Sequence, residues 1–294
     1  MPQVVFISTL DEIASMLAAL QCVPTSPPSL YIDLEGKHLS RHGTVALLTL
    51  YVPPEDTVYL IDIHTLGDRA FSTPATITTT TTTAAPLKTA LDATTNAGDS
   101  TTTLKALLES STVPKVFFDV RNDSDALFAH YNIKLSCIHD IQVMELATTT
   151  RRSRDYLVGL SKAIEYNASR LFITHTEARL SKKIKGVGLK LFAPEHGGNY
   201  KVFEDRPLSE AIKNYCVQDV VYMPRLWKLY DRRMTDGGFW QVMALEAAAR
   251  RVEESHQVGY QPNGPHKRFG CWSDMQITEA QRRWIAGQRK NLCG

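Results

Sequence analysis

Residues 29–63 read SLYIDLEGKHLSRHGTVALLTLYVPPEDTVYLIDI, in which three apolar, β-branched runs (29–35, 44–52 and 57–63) are separated by the polar GKHLSRHG and by PPED. Parallel neighbours need a crossover of about a dozen residues or more, so connections this short predict an antiparallel meander of three strands. Within the first run, Asp33 and Glu35 stand two apart. Side chains alternate along a strand, so both carboxylates project from one face. Mg²⁺ and Mn²⁺ prefer carboxylate oxygens, which makes the pair a candidate hard-metal site; acids on a solvent-facing edge strand are the plainer alternative.

Outward from this stretch, Ser8 and Thr9 followed by Asp11 and Glu12 predict a helix start, with Ile13, Met16, Leu17 and Leu20 at helical spacing until Pro24, Pro27 and Pro28 end it. Residues 72–103 are Thr-rich, with six consecutive threonines at 78–83. They hold too few apolar residues to offset the entropy of ordering, so a disordered surface insertion is expected there. The pattern then changes to a helix (104–111), a short buried strand in VPKVFF (113–118) and an amphipathic helix in NDSDALFAHYNI (122–133), the order of an α/β unit. CIHDIQVMELA, DYLVGLSKAIEY, SRLFITHTEARLSKKI and residues 207–234 are read as further helices, broken by GVG (186–188) and PEHGG (194–198). A long helix in FWQVMALEAAARRVEES and a short one at about 274–287 close the chain. The expected organisation is a main domain over 1–235 carrying the 72–103 insertion, then a C-terminal helical extension over 236–294.

The 294 residues, 43% hydrophobic and 22% charged, suit one large domain plus an extension, or two domains, and no run approaches the ~20 apolar residues of a membrane span. Asp11 and Glu12 interrupt the apolar start as an export signal would not, so an intracellular protein, cytoplasmic or nuclear, is expected. The five cysteines are scattered and never spaced C-x-x-C, which argues for reduced thiols over disulfides or a cysteine zinc site. Net charge is +2, but it is unevenly spread. Residues 151–190 hold ten Lys/Arg against three acids, and residues 11–70 hold eight acids against three bases. One half suits cations and the other polyanions, unless both are simply solvated faces.

Two further acidic features lie downstream. Asp123 sits at the start of the helix after the buried strand, with Asp119 and Asp125 as close competitors, and Tyr215 and Asp219 share a helix face at i and i+4. In order, YIDLEG, KVFFDVRNDSDAL and RPLSEAIKNYCVQDV resemble the three motifs of the DEDDy 3′–5′ exonucleases, in particular the RNase D-like branch, over residues 29 to 232. The run from Arg206-Pro207-Leu208 to Tyr215 and Asp219 is the most specific part.

The resemblance implies an α/β, RNase H-like mixed β-sheet flanked by helices. It implies hydrolysis from the 3′ end of RNA or single-stranded DNA, releasing nucleoside 5′-monophosphates. Asp33, Glu35, Asp123 and Asp219 would hold two Mg²⁺ or Mn²⁺ ions, and Tyr215 would orient the attacking water. Four carboxylates in one cleft could not stay ionised together without such cations. The sequence departs from the family at Phe118, where histidine is frequent, and at Thr49, near which glutamine is common.

Lys182, Lys183 and Lys185, with Arg151, Arg152 and Arg154, are candidates for gripping substrate phosphates. Tyr166, Phe172 and Tyr200 could stack on bases, although burial in the core is the plainer reading. His38 and His42, and Cys137 with His139, make only weak metal-ligand patterns. The competing expectation is a catalytically silent member of the fold that binds RNA or a protein partner.

Overall fold

The computed structural model describes residues 2–76, 102–151, 153–234 and 238–292. Most of the Thr-rich stretch, along with Arg152, lies outside the described residues. The elements in chain order are β1 (Gln3–Ile7), α1 (Leu10–Leu20), β2 (Leu30–Glu35), β3 (Leu47–Val52), β4 (Thr57–Asp62), α2 (Ile63–Leu66), α3 (Arg69–Ser72), α4 (Leu104–Glu109), β5 (Lys115–Phe117) and α5 (Arg121–Tyr131). There follow β6 (Ile138–Asp140), α6 (Ile141–Thr148), α7 (Leu160–Asn167), α8 (His175–Phe192), α9 (Glu210–Val221), α10 (Met223–Asp231), α11 (Phe239–Ser255) and α12 (Asp274–Leu292).

The strands form one mixed sheet in the order β1-β4-β3-β2-β5-β6. The meander β2-β3-β4 is antiparallel as its short connections require, with Gly36 at the first turn, where any Cβ would strike the Thr44 carbonyl. Parallel pairs β2·β5 and β5·β6 extend the sheet on one side, and β1 adds to β4 in parallel on the other. One face is covered by α1, α4 and α5, which bury Ile13, Leu17, Leu108 and Leu127 against Ile32 and Leu34. The opposite face buries Tyr31, Leu47 and Val116 under α6, α9 and α10. Helix α11 reaches both layers, placing Ala248 and Val252 in the first and Ala244 and Ala247 in the second. Part of the segment expected to be an extension is thus a wall of the core.

Several expectations need correction. β1 precedes the first helix and was not anticipated; it finds its register only through the distant β4. Ile138–Asp140, near the start of the presumed helix in CIHDIQVMELA, are strand β6, and Asp140 also caps α6 by accepting from the Gln142 N–H. Residues 155–159 and 169–174 are not helical; α8 begins at a capping box formed by Thr174 and Glu177. The glycines of GVG do not end that helix. A Cβ at Gly188 would lie 2.3 Å from the Tyr215 ring, so glycine permits α8 and α9 to pack at close range, which offsets its poor helix propensity. The long run 207–234 is two helices, broken at Tyr222 with Pro224 in the first turn of α10.

Lys115 is fully buried in β5, where its ammonium donates to the Ser110 carbonyl at 2.6 Å and burial pushes its pKa down to about 7. Between about 7 and the usual lysine range the unfolded chain binds more protons than the folded one, so this group's contribution to stability rises with pH across that window. Lys115→Met is expected to raise stability by about 1–4 kcal/mol near neutral pH, with the gain shrinking towards pH 10. Urea titrations at the two pH values measure it.

Candidate active site

Alternation along β2 sends Leu30, Ile32 and Leu34 into one core layer and Tyr31, Asp33 and Glu35 to the other side. On that side α9 packs across β2 and β3 and presents Tyr215 and, one turn later, Asp219. Carboxylate oxygens of Asp33, Glu35 and Asp219 lie within 4.8 Å of one another. The oxygen Oδ2 of Asp219 is buried and has no hydrogen-bond partner among the described residues. Opposite Asp33 in the sheet is Thr49, whose buried hydroxyl oxygen is also unpartnered there.

Asp123 is not one of these three; it approaches β2 from the other layer. Strand β5 ends at Phe117 while β2 runs on to Glu35, and the Leu34 N–H donates to Asp123 Oδ1 at 3.1 Å. The carboxylate closes an open strand edge and is thereby held close to Asp33. Its competitors are otherwise engaged. Asp119 accepts from Arg121 at 2.5 and 2.6 Å and lies 3.6 Å from Arg251; burial would raise its pKa, but these guanidiniums outweigh that and hold it below the usual range. Asp125 binds the Arg41 guanidinium at 2.6 Å and accepts its backbone N–H.

The acids feel their crowding. Burial pushes Asp33 up to about 6 against the pull of Lys185. Burial and then the Asp33 charge raise both Glu35 and Asp123 well above the carboxylate range. The Tyr215 phenol is raised by burial and by Glu35 and Asp33, so it remains a proton donor at neutral pH. Lys185 does not lie out with Lys182 and Lys183, which are exposed; its ammonium pairs with Asp219 Oδ1 and lies 4.5 Å from the Tyr215 ring centroid. Burial lowers its pKa while Asp33 and Glu35 counteract the fall.

Other expectations about substrate residues change. Arg151 is paired with Glu145 at 3.0 Å and Arg154 donates to the Leu146 carbonyl at 3.1 Å, so both brace the loop after α6. Tyr166 and Phe172 are exposed, at 57% and 87%, and Tyr200 is half-buried. His139 accepts from Trp227 Nε1 at 3.1 Å, and His38 packs on Tyr200, which leaves neither weak histidine pattern assembled.

The second acidic motif is braced by a residue that the sequence reading did not single out. Arg251, 4% exposed on α11, donates to Asp140 Oδ2 at 2.6 Å, and Asp140 in turn accepts the backbone N–H groups of Asp119 and Val120. The available signal was its position in the stripe Ala244, Ala247, Ala248, Arg251, Val252, Ser255, all on the buried face.

A sequence model of the 3′–5′ exonuclease family matches residues 4–232. The chain belongs to the 3′–5′ exonuclease family. The fold of this exonuclease is that of RNase D-like proteins: it is similar to Trypanosoma brucei RNase D in complex with RNA U12, at a TM-score of 0.61 and 18% identity over 90% of this chain and 75% of that one. Escherichia coli RNase D, an exoribonuclease involved in structured RNA processing, gives a TM-score of 0.54 and 18% identity over 88% and 52%. The catalytic core of RRP6 from T. brucei gives 0.52 and 12% identity over 86% and 52%. No curated protein matches the chain by sequence.

Arg251→Met is expected to destabilise the fold by about 3–5 kcal/mol, because it leaves the buried Asp140 carboxylate without its cation. Chemical denaturation against the parent protein measures the loss.

Proposed function

We propose that this exonuclease is of the DEDDy type and removes nucleotides from the 3′ end of RNA or single-stranded DNA with the help of two divalent ions, Mg²⁺ or Mn²⁺. The observation that carries the reading is the approach of Asp33, Glu35 and Asp219 to within 4.8 Å in a member of this family, with one buried Asp219 oxygen lacking any partner. An all-carboxylate donor set suits hard cations, and crowded buried acids with raised pKa values gain most from them. Asp33, Glu35 and Asp219 would hold the ions, with Asp123 completing the set from beside Leu34. Bound there, such ions supply activation of water and neutralisation of charge developing on the phosphodiester oxygens.

The protein's own groups provide the rest. Tyr215, kept protonated by its surroundings, orients the attacking water by hydrogen bonding. Lys185 partly neutralises the acids and stands where a substrate phosphate would arrive, while Lys182 and Lys183 line the approach on the exposed face of α8. Nucleic acid as the substrate class is supported by the RNA bound to the T. brucei RNase D with this fold. One observation favours the second reading, a silent fold member that binds RNA or a protein: the Lys185 ammonium already occupies Asp219.

The two readings part in a nuclease assay on 3′-labelled single-stranded RNA and DNA. The active reading expects release of 5′-monophosphates that stops with chelator and falls by roughly 10²-fold or more in Asp33→Asn. Binding without cleavage, or chelator-resistant cleavage, overturns it.

Metal binding should also show in stability. The folded state holds the Asp33 proton more tightly than the unfolded chain, so this group's contribution to metal-free stability falls as pH rises from the usual carboxylate range to about 6, and Glu35 and Asp123, raised well above that range, continue the fall at higher pH. Cations bind the deprotonated carboxylate, and the rise in Tm on adding Mg²⁺ or Mn²⁺ is expected to be large above about pH 6 and small below it, as read by thermal melts.

A further inference from the structure

Residues 260–269 lie beyond the family-matched part of the chain yet return to the second acidic motif. Lys267 donates from its ammonium to Asn122 Oδ1, next to Asp123, and to the Tyr260 hydroxyl at 3.1 Å, while its carbonyl accepts from Arg121 at 2.9 Å. The Leu157 N–H donates to the Arg268 carbonyl at 2.8 Å, and Tyr156 bridges Phe269 as an isolated antiparallel pair. Together these segments bound an open cavity of about 430 Å³ whose wall includes Asn122, Gln142, Val158, Asn263, Lys267 and Arg268.

Three features are unspent, two in the lining of this cavity and one, the Tyr156 and Phe269 rings, beside it. Gln142 is 6% exposed; its amide nitrogen donates to the Val158 carbonyl at 3.0 Å, which fixes the amide's orientation and leaves Oε1 buried with no donor among the described residues. A buried acceptor in that state has given up its water without replacement until a donor arrives. Arg268 is exposed and has no ion pair among the described residues, and its guanidinium lies 5.3 Å from the Phe269 ring centroid and 6.0 Å from that of Tyr156. Tyr156 and Phe269 remain 52% and 46% exposed, their ring centroids 5.5 Å apart. A free guanidinium for phosphates, flat aromatic faces for unpaired bases and a buried acceptor for an amino or hydroxyl donor are together the chemistry that holds a single strand.

We infer that the C-terminal segment builds a strand-holding subsite, in which Arg268, Tyr156, Phe269 and Gln142 grip the polynucleotide adjoining the nucleotide being removed. The inference rests on the nuclease reading and deepens it. It also gives residues 260–269 a role in specificity that the acid cluster cannot supply, since a metal site acts on any phosphodiester while the subsite requires a polymer.

The test uses full-length Arg268→Ala and Tyr156→Ala proteins and two substrates. One is a labelled single-stranded oligoribonucleotide; the other is the p-nitrophenyl ester of thymidine 5′-monophosphate, too small to reach the subsite. Each variant is expected to raise KM for the oligonucleotide roughly tenfold with kcat unchanged, and to hydrolyse the ester as the parent does. In chelator, anisotropy binding of the oligonucleotide should weaken similarly, and Arg268→Ala should reduce the slope of log affinity against log salt by about 0.7. Unchanged oligonucleotide affinity, or parallel loss on both substrates, overturns the subsite. If the parent hydrolyses neither substrate, the nuclease reading fails, and the anisotropy series alone then decides the subsite in the same two ways.

Discussion

Gathering Asp33, Glu35, Asp123 and Asp219 at one end of β2 is electrostatically costly, and much of the surrounding structure answers that cost. Burial raises Asp33, Glu35 and Asp123, and the Asp33 charge raises Glu35 and Asp123 further. The compensation comes from three directions. The Leu34 N–H binds Asp123, the Lys185 ammonium binds Asp219, and Asp119 is drawn away into its own pairs with Arg121 and Arg251. What remains uncompensated, above all the buried Asp219 Oδ2, marks where positive charge fits.

The same problem explains the helical layers. Helix α8 has to come close enough to α9 for Lys185 to reach Asp219 over the Tyr215 ring, and Gly188 makes that approach possible. Helix α11 contributes Arg251, which through Asp140 holds the backbone at Asp119 and Val120 and so sets the start of α5, where Asp123 lies. The chain after the family-matched region therefore serves the acidic motif twice: once from beneath through Arg251, and once from the rim through Lys267 and Asn122.

Much of this was legible in the residues. The meander, the common face of Asp33 and Glu35, the capping box at Thr9 and Glu12, and the shared face of Tyr215 and Asp219 all follow from local periodicity and turn chemistry. Such features depend on residues within a few positions of one another. β1 and β6 were missed because strands of five and three residues, paired in parallel, draw their stability from partners far along the chain. GVG was misread as a helix end because the ring that favours glycine there belongs to Tyr215, 27 positions after Gly188.

By itself, then, the order of residues determined the strand face that carries the first acids, the helix face that carries the last, and the family whose motifs they match. Only the tertiary structure set Asp123 apart from Asp119 and Asp125, since of three acids within seven positions Asp123 meets the Leu34 N–H, Asp125 the distant Arg41, and Asp119 the nearby Arg121 together with the distant Arg251. It alone moved Lys185 from a basic surface run into the acid cluster and brought residues 260–269 back to Asn122. The reason in each case is that a charge buried in a protein is settled by whichever partner folding places within reach, and sequence separation carries no information about that reach.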